Sequence, residues 1–117
     1  MLTELGKFLR KLRIDRGEYL KDMAENLNVT VSFLSAVENG KKRMPSSWNN
    51  RICELYKLGK DQMEEFTRAI ADSEEKVEMN LKEANEMNRC LAVSFARRFS
   101  DFDERKIEKI IRLLEEE

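Results

Sequence analysis

The twenty positions from Leu20 to Asn39, LKDMAENLNVTVSFLSAVEN, constrain this chain more than any other stretch. Leu20, Met23, Ala24 and Leu27 recur at helical spacing, and so do Leu34 and Val37, which predicts two short helices with one apolar side each. Only Asn28-Val29-Thr30 separates them. Asn tolerates the left-handed backbone that a tight turn needs, and Thr30 can cap a helix running from Val31 to Glu38 or Asn39. Ala24 supplies a small side chain where the second helix would cross the first. Met23, Leu27, Val29, Leu34 and Val37 stand where apolar groups would close the angle from both sides. Two helices locked in this way leave the outer face of the second free to project from the surface.

The flanking sequence supplies a frame for that pair. Thr3 can cap a helix to about Arg16, with Leu5, Phe8, Leu9 and Leu12 on one face and Lys7, Arg10, Lys11, Arg13 and Arg16 on the other. Gly17 lets the backbone leave it. Asn39-Gly40 stops the third helix, and Lys41-Lys42-Arg43-Met44-Pro45 forms a basic loop. Ser46 or Ser47 caps a fourth helix with Trp48, Ile52, Leu55 and Tyr56. A fifth, from about Asp61 to Ala71, presents Met63, Phe66 and Ile70.

The polar seam Asp72-Ser73-Glu74-Glu75 marks a boundary, giving residues 1–72 and 73–117 as two domains. Beyond it, Val77, Met79 and Leu81 alternate as in a half-buried strand, while Val77, Leu81 and Ala84 also fit a helix. The alternation favours a short strand near 77–81, which would need a second strand to pair with. A helix is expected from about Ala84 to Phe99, with Met87, Leu91, Phe95 and Phe99 in register. Asp101-x-x-Glu104 has the form of a capping box before a last helix striped by Ile107, Ile110, Ile111 and Leu114. The fold class is therefore mainly all-α, a five-helix domain followed by a C-terminal helical segment.

Charge and rare residues narrow the function classes. Residues 1–60 hold 12 Lys+Arg against 7 Asp+Glu, a net of +5, and residues 61–117 hold 10 against 16, a net of −6. A basic head with an acidic remainder suits a polyanion-binding domain joined to a partner-binding segment. No histidine is present, and Cys53 and Cys90 cannot by themselves complete a four-ligand zinc site, so no metal and no cofactor are expected. Both cysteines lie among apolar residues at helical spacing and read as small core hydrophobes. Without an activated nucleophile or a glycine-rich phosphate loop no catalytic residues stand out, and an enzyme is not expected. No run approaches the roughly 20 apolar residues of a membrane span. The first residues lack the basic-then-apolar layout of a signal peptide, so a cytoplasmic protein without a membrane partner is expected.

The stretch MAENLNVTVSFLSAVENGKKRMP resembles the Cro-like, phage-repressor helix-turn-helix family, often called XRE-type. The shared positions are Ala24, Leu27, Asn28, Val29, Thr30, Leu34, Ser35, Val37, Glu38, Asn39, Gly40 and Pro45. With FLRKLRIDRG the likeness spans roughly residues 3 to 70. Where many members open the second helix with Ser-Gln, this chain has Tyr19 and Leu20. Where they carry polar residues on the third, it has Val31 and Phe33. The resemblance implies base contacts from Thr30, Val31, Ser32, Ser35 and Ala36, with Ser bonding base edges and Val and Ala suiting a thymine methyl. It implies sugar-phosphate contacts from Asn39, Lys41, Lys42 and Arg43. A Lys-Lys-Arg loop alone is an ordinary solvated turn, and the motif beside it makes it a contact candidate. Phe33 is open between contacting a base and packing against the first helix. Glu38 reads as a helix-end structural partner.

These readings converge on a regulator of transcription, a repressor that binds double-stranded DNA with an inverted-repeat site. One recognition helix reads few base pairs, so specificity calls for two half-sites and a homodimer. Val77, Met79, Leu81, Met87, Leu91, Phe95, Ile110 and Leu114 are its expected interface. The alternative is an antitoxin-like module whose acidic second half neutralises a partner protein, with DNA binding secondary.

Overall fold

Thr3 begins the first helix by serving two partners. Its hydroxyl oxygen accepts from the Gly6 N–H at 3.0 Å, which caps helix α1 (Glu4–Arg16). The same hydroxyl and the Thr3 N–H both donate to the carbonyl of Glu38, at 3.2 and 3.0 Å. Those bonds bring the start of α1 against the end of the third helix. Gly6 is the residue that permits the approach, since a Cβ there would lie 2.2 Å from the Glu38 carbonyl oxygen.

The computed structural model describes residues 1–116, and among these it forms seven α-helices and no strand. After α1 come α2 (Leu20–Asn26), α3 (Val31–Glu38), α4 (Trp48–Leu55) and α5 (Lys60–Ser73), all in a first compact unit, Met1–Val77. Helix α1 packs on α5 and on α3, and α2 packs on α3. Leu9, Met23, Leu34 and Ile52, from four different helices, lose all or nearly all contact with solvent. Phe8 stacks on Phe66 across α1 and α5, with ring centroids 5.1 Å apart.

Several ends and faces differ from expectation, each for a local reason. Helix α5 starts one residue early, with Gly59 before it and Gln62 accepting from the Gly59 N–H at 3.3 Å. It also runs on to Ser73, whose hydroxyl bonds the Ala69 carbonyl at 3.0 Å and accepts from Leu5 N–H at 3.4 Å, so part of the polar seam is helical. Neither serine caps α4 through its side chain, because Ser47 already has helical angles and Trp48 N–H closes a turn onto Pro45.

Arg13, expected on the solvent face, is instead buried, its guanidinium forked onto the Glu38 carboxylate and its Nη1 also 3.4 Å from the Met23 sulfur. Cys53 is half-buried against the core, but Cys90 is exposed, and neither forms a disulfide. The neighbours of Cys90 lie on a helix with no buried residue, so apolar spacing there did not imply a covered face.

The second unit begins at Glu78 and contains α6 (Glu86–Arg98), a 3₁₀ turn at Phe99–Asp101 and α7 (Glu104–Glu115). The strand expected near 77–81 is absent. Residues 76–81 are irregular, and no extended segment exists elsewhere among the described residues to complete a ladder. Arg89 instead reaches back to the carbonyls of Leu81 and Lys82, at 2.9 and 3.1 Å. Asn85 caps α6 through the Asn88 N–H, which places its start two residues after Ala84. Asp103, not Asp101, caps α7, accepting from Lys106 N–H at 2.7 Å, because Asp101 is spent in the 3₁₀ turn. Among the described residues no helix is long and apolar enough to cross a membrane.

Candidate nucleic-acid interface

Asn28 lies between α2 and α3 with φ of +58°, the left-handed conformation the turn requires. Two bonds hold that turn: Asn28 N–H to Glu25 carbonyl at 3.0 Å, and Val29 N–H to Ala24 carbonyl at 2.9 Å. Thr30 then caps α3, its hydroxyl oxygen accepting from Phe33 N–H at 3.1 Å. Met23, Ala24, Leu27, Leu34 and Val37 are buried in the angle, with Val29 packed partly against them. Because one stripe of this eight-residue helix is locked inward, the opposite stripe has a fixed outward aim.

That outer stripe forms one wall of a shallow concavity lined by Leu20, Val31, Ser32, Ser35, Ala36, Asn39 and Lys41. Four expected base-contacting residues and two expected backbone-contacting residues thus share one surface. Thr30 is exposed but lies outside that lining, its hydroxyl engaged as a cap. Leu20 was missed as a site residue. Its position at the first turn of α2, where the family resemblance marks a departure, was the available signal.

The loop after α3 is tied to the helix end. Lys41 and Lys42 both direct backbone N–H groups to the Ala36 carbonyl, at 2.8 and 3.2 Å. Asn39 folds its amide onto the Ser35 carbonyl at 2.8 Å. Lys41 and Lys42 are exposed. Arg43 turns away, with Nε 3.0 Å from the Glu74 carboxylate and Nη2 2.5 Å from the Lys76 carbonyl. Lys42 and Arg43 line a second hollow with Thr3, Glu74 and Lys76, and Lys41 lines both. Phe33 is half-buried, its ring edge-on to Trp48 of α4 at 5.9 Å, so the packing partner is α4 and not the first helix.

A family model described as a helix-turn-helix domain matches residues 4–66, more than half of the 117-residue chain. The chain belongs to that helix-turn-helix family. No curated protein and no solved structure matched it. Helix-turn-helix domains are DNA-binding modules that lay their second helix in the major groove, so this is a DNA-binding protein of the regulatory kind.

In this helix-turn-helix protein the expected dimer residues fall in two groups. Val77 closes the first unit and is strongly exposed. Of the rest, all in the second unit, Met79, Met87, Leu91 and Leu114 are exposed, and Leu81, Phe95 and Ile110 are half-buried. The Phe95 ring meets those of Phe99 and Phe102 at 5.6 and 5.3 Å, a small cluster where α6 ends.

Proposed function

We propose that this protein is a sequence-specific transcriptional repressor of the Cro-like, XRE-type kind, binding an inverted-repeat operator as a homodimer. The observation that carries the reading is the concavity on the outer face of α3, which joins short side chains able to approach base edges to the exposed Lys41. Thr30, Val31, Ser32, Ser35 and Ala36 face the bases. Asn39, Lys41 and Lys42 engage the sugar-phosphate backbone, where lysines act as point charges that position the helix, and Arg43 joins them on release from Glu74.

Dimerisation through the second unit is supported by the lack of any buried residue among its described residues. Helices α6 and α7 carry Met87, Leu91, Ile107, Ile111 and Leu114, each at least 42% exposed. A segment of about 40 residues rarely sustains a core alone, and its apolar stripes call for a second copy. Two recognition helices related by a two-fold axis then fall about 34 Å apart, one turn of DNA.

Selection of bound duplexes from a random pool, followed by sequencing, tests the reading. The expected product is an inverted repeat. Sedimentation of the full chain should give a dimer at micromolar concentration, and truncation after Val77 a monomer. A full-length monomer, or enrichment of single half-sites, would overturn the homodimer.

A further inference from the structure

The concavity between α2 and α3 is poor in the groups that usually read purines. Bidentate recognition of guanine favours a guanidinium, and of adenine a free carboxamide. Arg43 is held by Glu74 and Lys76 on another surface. Asn39 does line the concavity, but its amide nitrogen is turned onto the Ser35 carbonyl at 2.8 Å, away from that pairing. Lys41 follows Gly40 in the loop after α3, and its flexible ammonium is a point charge suited to phosphate. The rest of the lining is the apolar trio Leu20, Val31 and Ala36, with the single hydroxyls of Ser32 and Ser35.

In the major groove the distinctive apolar group on a base pair is the methyl at C5 of thymine. A 5-methylcytosine carries the same methyl at the same place. We infer that Leu20, Val31 and Ala36 form a receptor for pyrimidine 5-methyl groups, and that Leu20 is a specificity-determining residue. This rests on the DNA-binding reading and adds what the site selects for. The two serines then adjust register while methyl burial discriminates between sequences. Leu20 lies on α2 and Val31 and Ala36 on α3, so the receptor exists only because the turn at Asn28 sets the two helices against each other.

The test changes the DNA first, so that the folding of a variant is not at issue. A duplex selected by the full-length protein from a thymine-containing random pool is remade with 2′-deoxyuridine at each thymine in turn. This removes the methyl and leaves the pairing edges unchanged. At each contacted position the affinity should fall about fourfold, the fold-change that burying one methyl-sized group is worth. Placing 5-methylcytosine·guanine at that position should keep more affinity than unmethylated cytosine·guanine. If 5-methylcytosine exceeds thymine, the receptor stands and methylated cytosine is its natural target. Val31→Ala, at an exposed position, should shrink the thymine-to-uracil ratio, as should Leu20→Ala. Equal affinity for thymine and uracil duplexes overturns the methyl receptor while leaving DNA binding intact. Failure to enrich any duplex overturns both.

Discussion

The two units of this protein carry similar patterns and reach different ends. Both have helices with apolar residues at three- and four-residue spacing, yet Leu9, Leu34 and Ile52 are sealed from solvent while Leu91 and Leu114 stand in it. The difference lies in the reversals. In the first unit Gly17, Asn28 and Gly40 adopt positive φ and turn the chain sharply after three successive helices, so that five helices close on one another. The second unit has two helices and a 3₁₀ turn, too little chain to enclose its own stripes. Periodicity shows which face is apolar; the number and direction of neighbouring elements determine whether anything covers it.

The largest expected effect breaks the first unit from inside. Glu38→Ala leaves the Arg13 guanidinium buried without its carboxylate, and removal of one partner of a buried pair costs about 3–5 kcal/mol. Urea unfolding should register that loss. An exposed carboxylate on α7, such as Glu108, should change stability by less than about 0.5 kcal/mol when replaced by Ala. Comparable losses at the two sites would erase the contrast between the units.

Apolar truncation sharpens the same point. Leu34→Ala should cost about 2–5 kcal/mol at any protein concentration, since Leu34 is wholly enclosed by its own chain. Leu91, 67% exposed, has no such enclosure, so Leu91→Ala should matter only where chains associate. Denaturation across a hundredfold range of concentration distinguishes these, because only an association-linked loss varies with concentration. A concentration-independent loss at Leu91 would show that its own chain covers it.

A pH dependence is expected from the first unit. Burial, and then the hydrogen bond its hydroxyl donates to Glu18 at 2.7 Å, push the Tyr56 phenol from 10 up to about 12. The folded state holds that proton more tightly than the unfolded chain. Its contribution is therefore complete below pH 10 and is lost as pH rises from 10 toward 12, by about 1.4 kcal/mol per unit. Tyr56→Phe should remove that part of the alkaline loss. An identical stability profile in the variant would show that Tyr56 titrates as freely as in the unfolded chain.

The smallest effect separates neighbours in one loop. Lys41 and Lys42 are exposed, whereas Arg43 is engaged by Glu74. For each phosphate that a variant no longer neutralises, the slope of log affinity against log salt should become shallower by about 0.9. Lys41→Ala and Lys42→Ala should show that change, and Arg43→Ala a smaller one unless DNA draws Arg43 from Glu74. A full change for Arg43→Ala that Glu74→Gln enhances would identify the carboxylate as a competitor of phosphate.

Sequence by itself determined the features that depend on near neighbours. The caps at Thr3 and Thr30, the left-handed Asn28 and the apolar triplets of α1 to α3 are all set within about four residues, the range over which helix geometry couples positions. The common face of Val31, Ser32, Ser35 and Ala36 follows from the same spacing. Tertiary structure decided what depends on partners distant in the chain. Arg13 is buried because Glu38, 25 residues on, comes to meet it; its place four residues after Leu9 set it beside the apolar stripe, unlike Arg10, but did not supply the partner. Leu20 joins the concavity, Phe33 packs edge-on against Trp48, and Arg43 turns to Glu74, 31 residues away, for the same reason. The residues at 77–81 show the converse, since alternation signals a strand only where a second extended segment exists to bond it. Local pattern sets conformation, and long-range contact sets which side chains remain available for DNA.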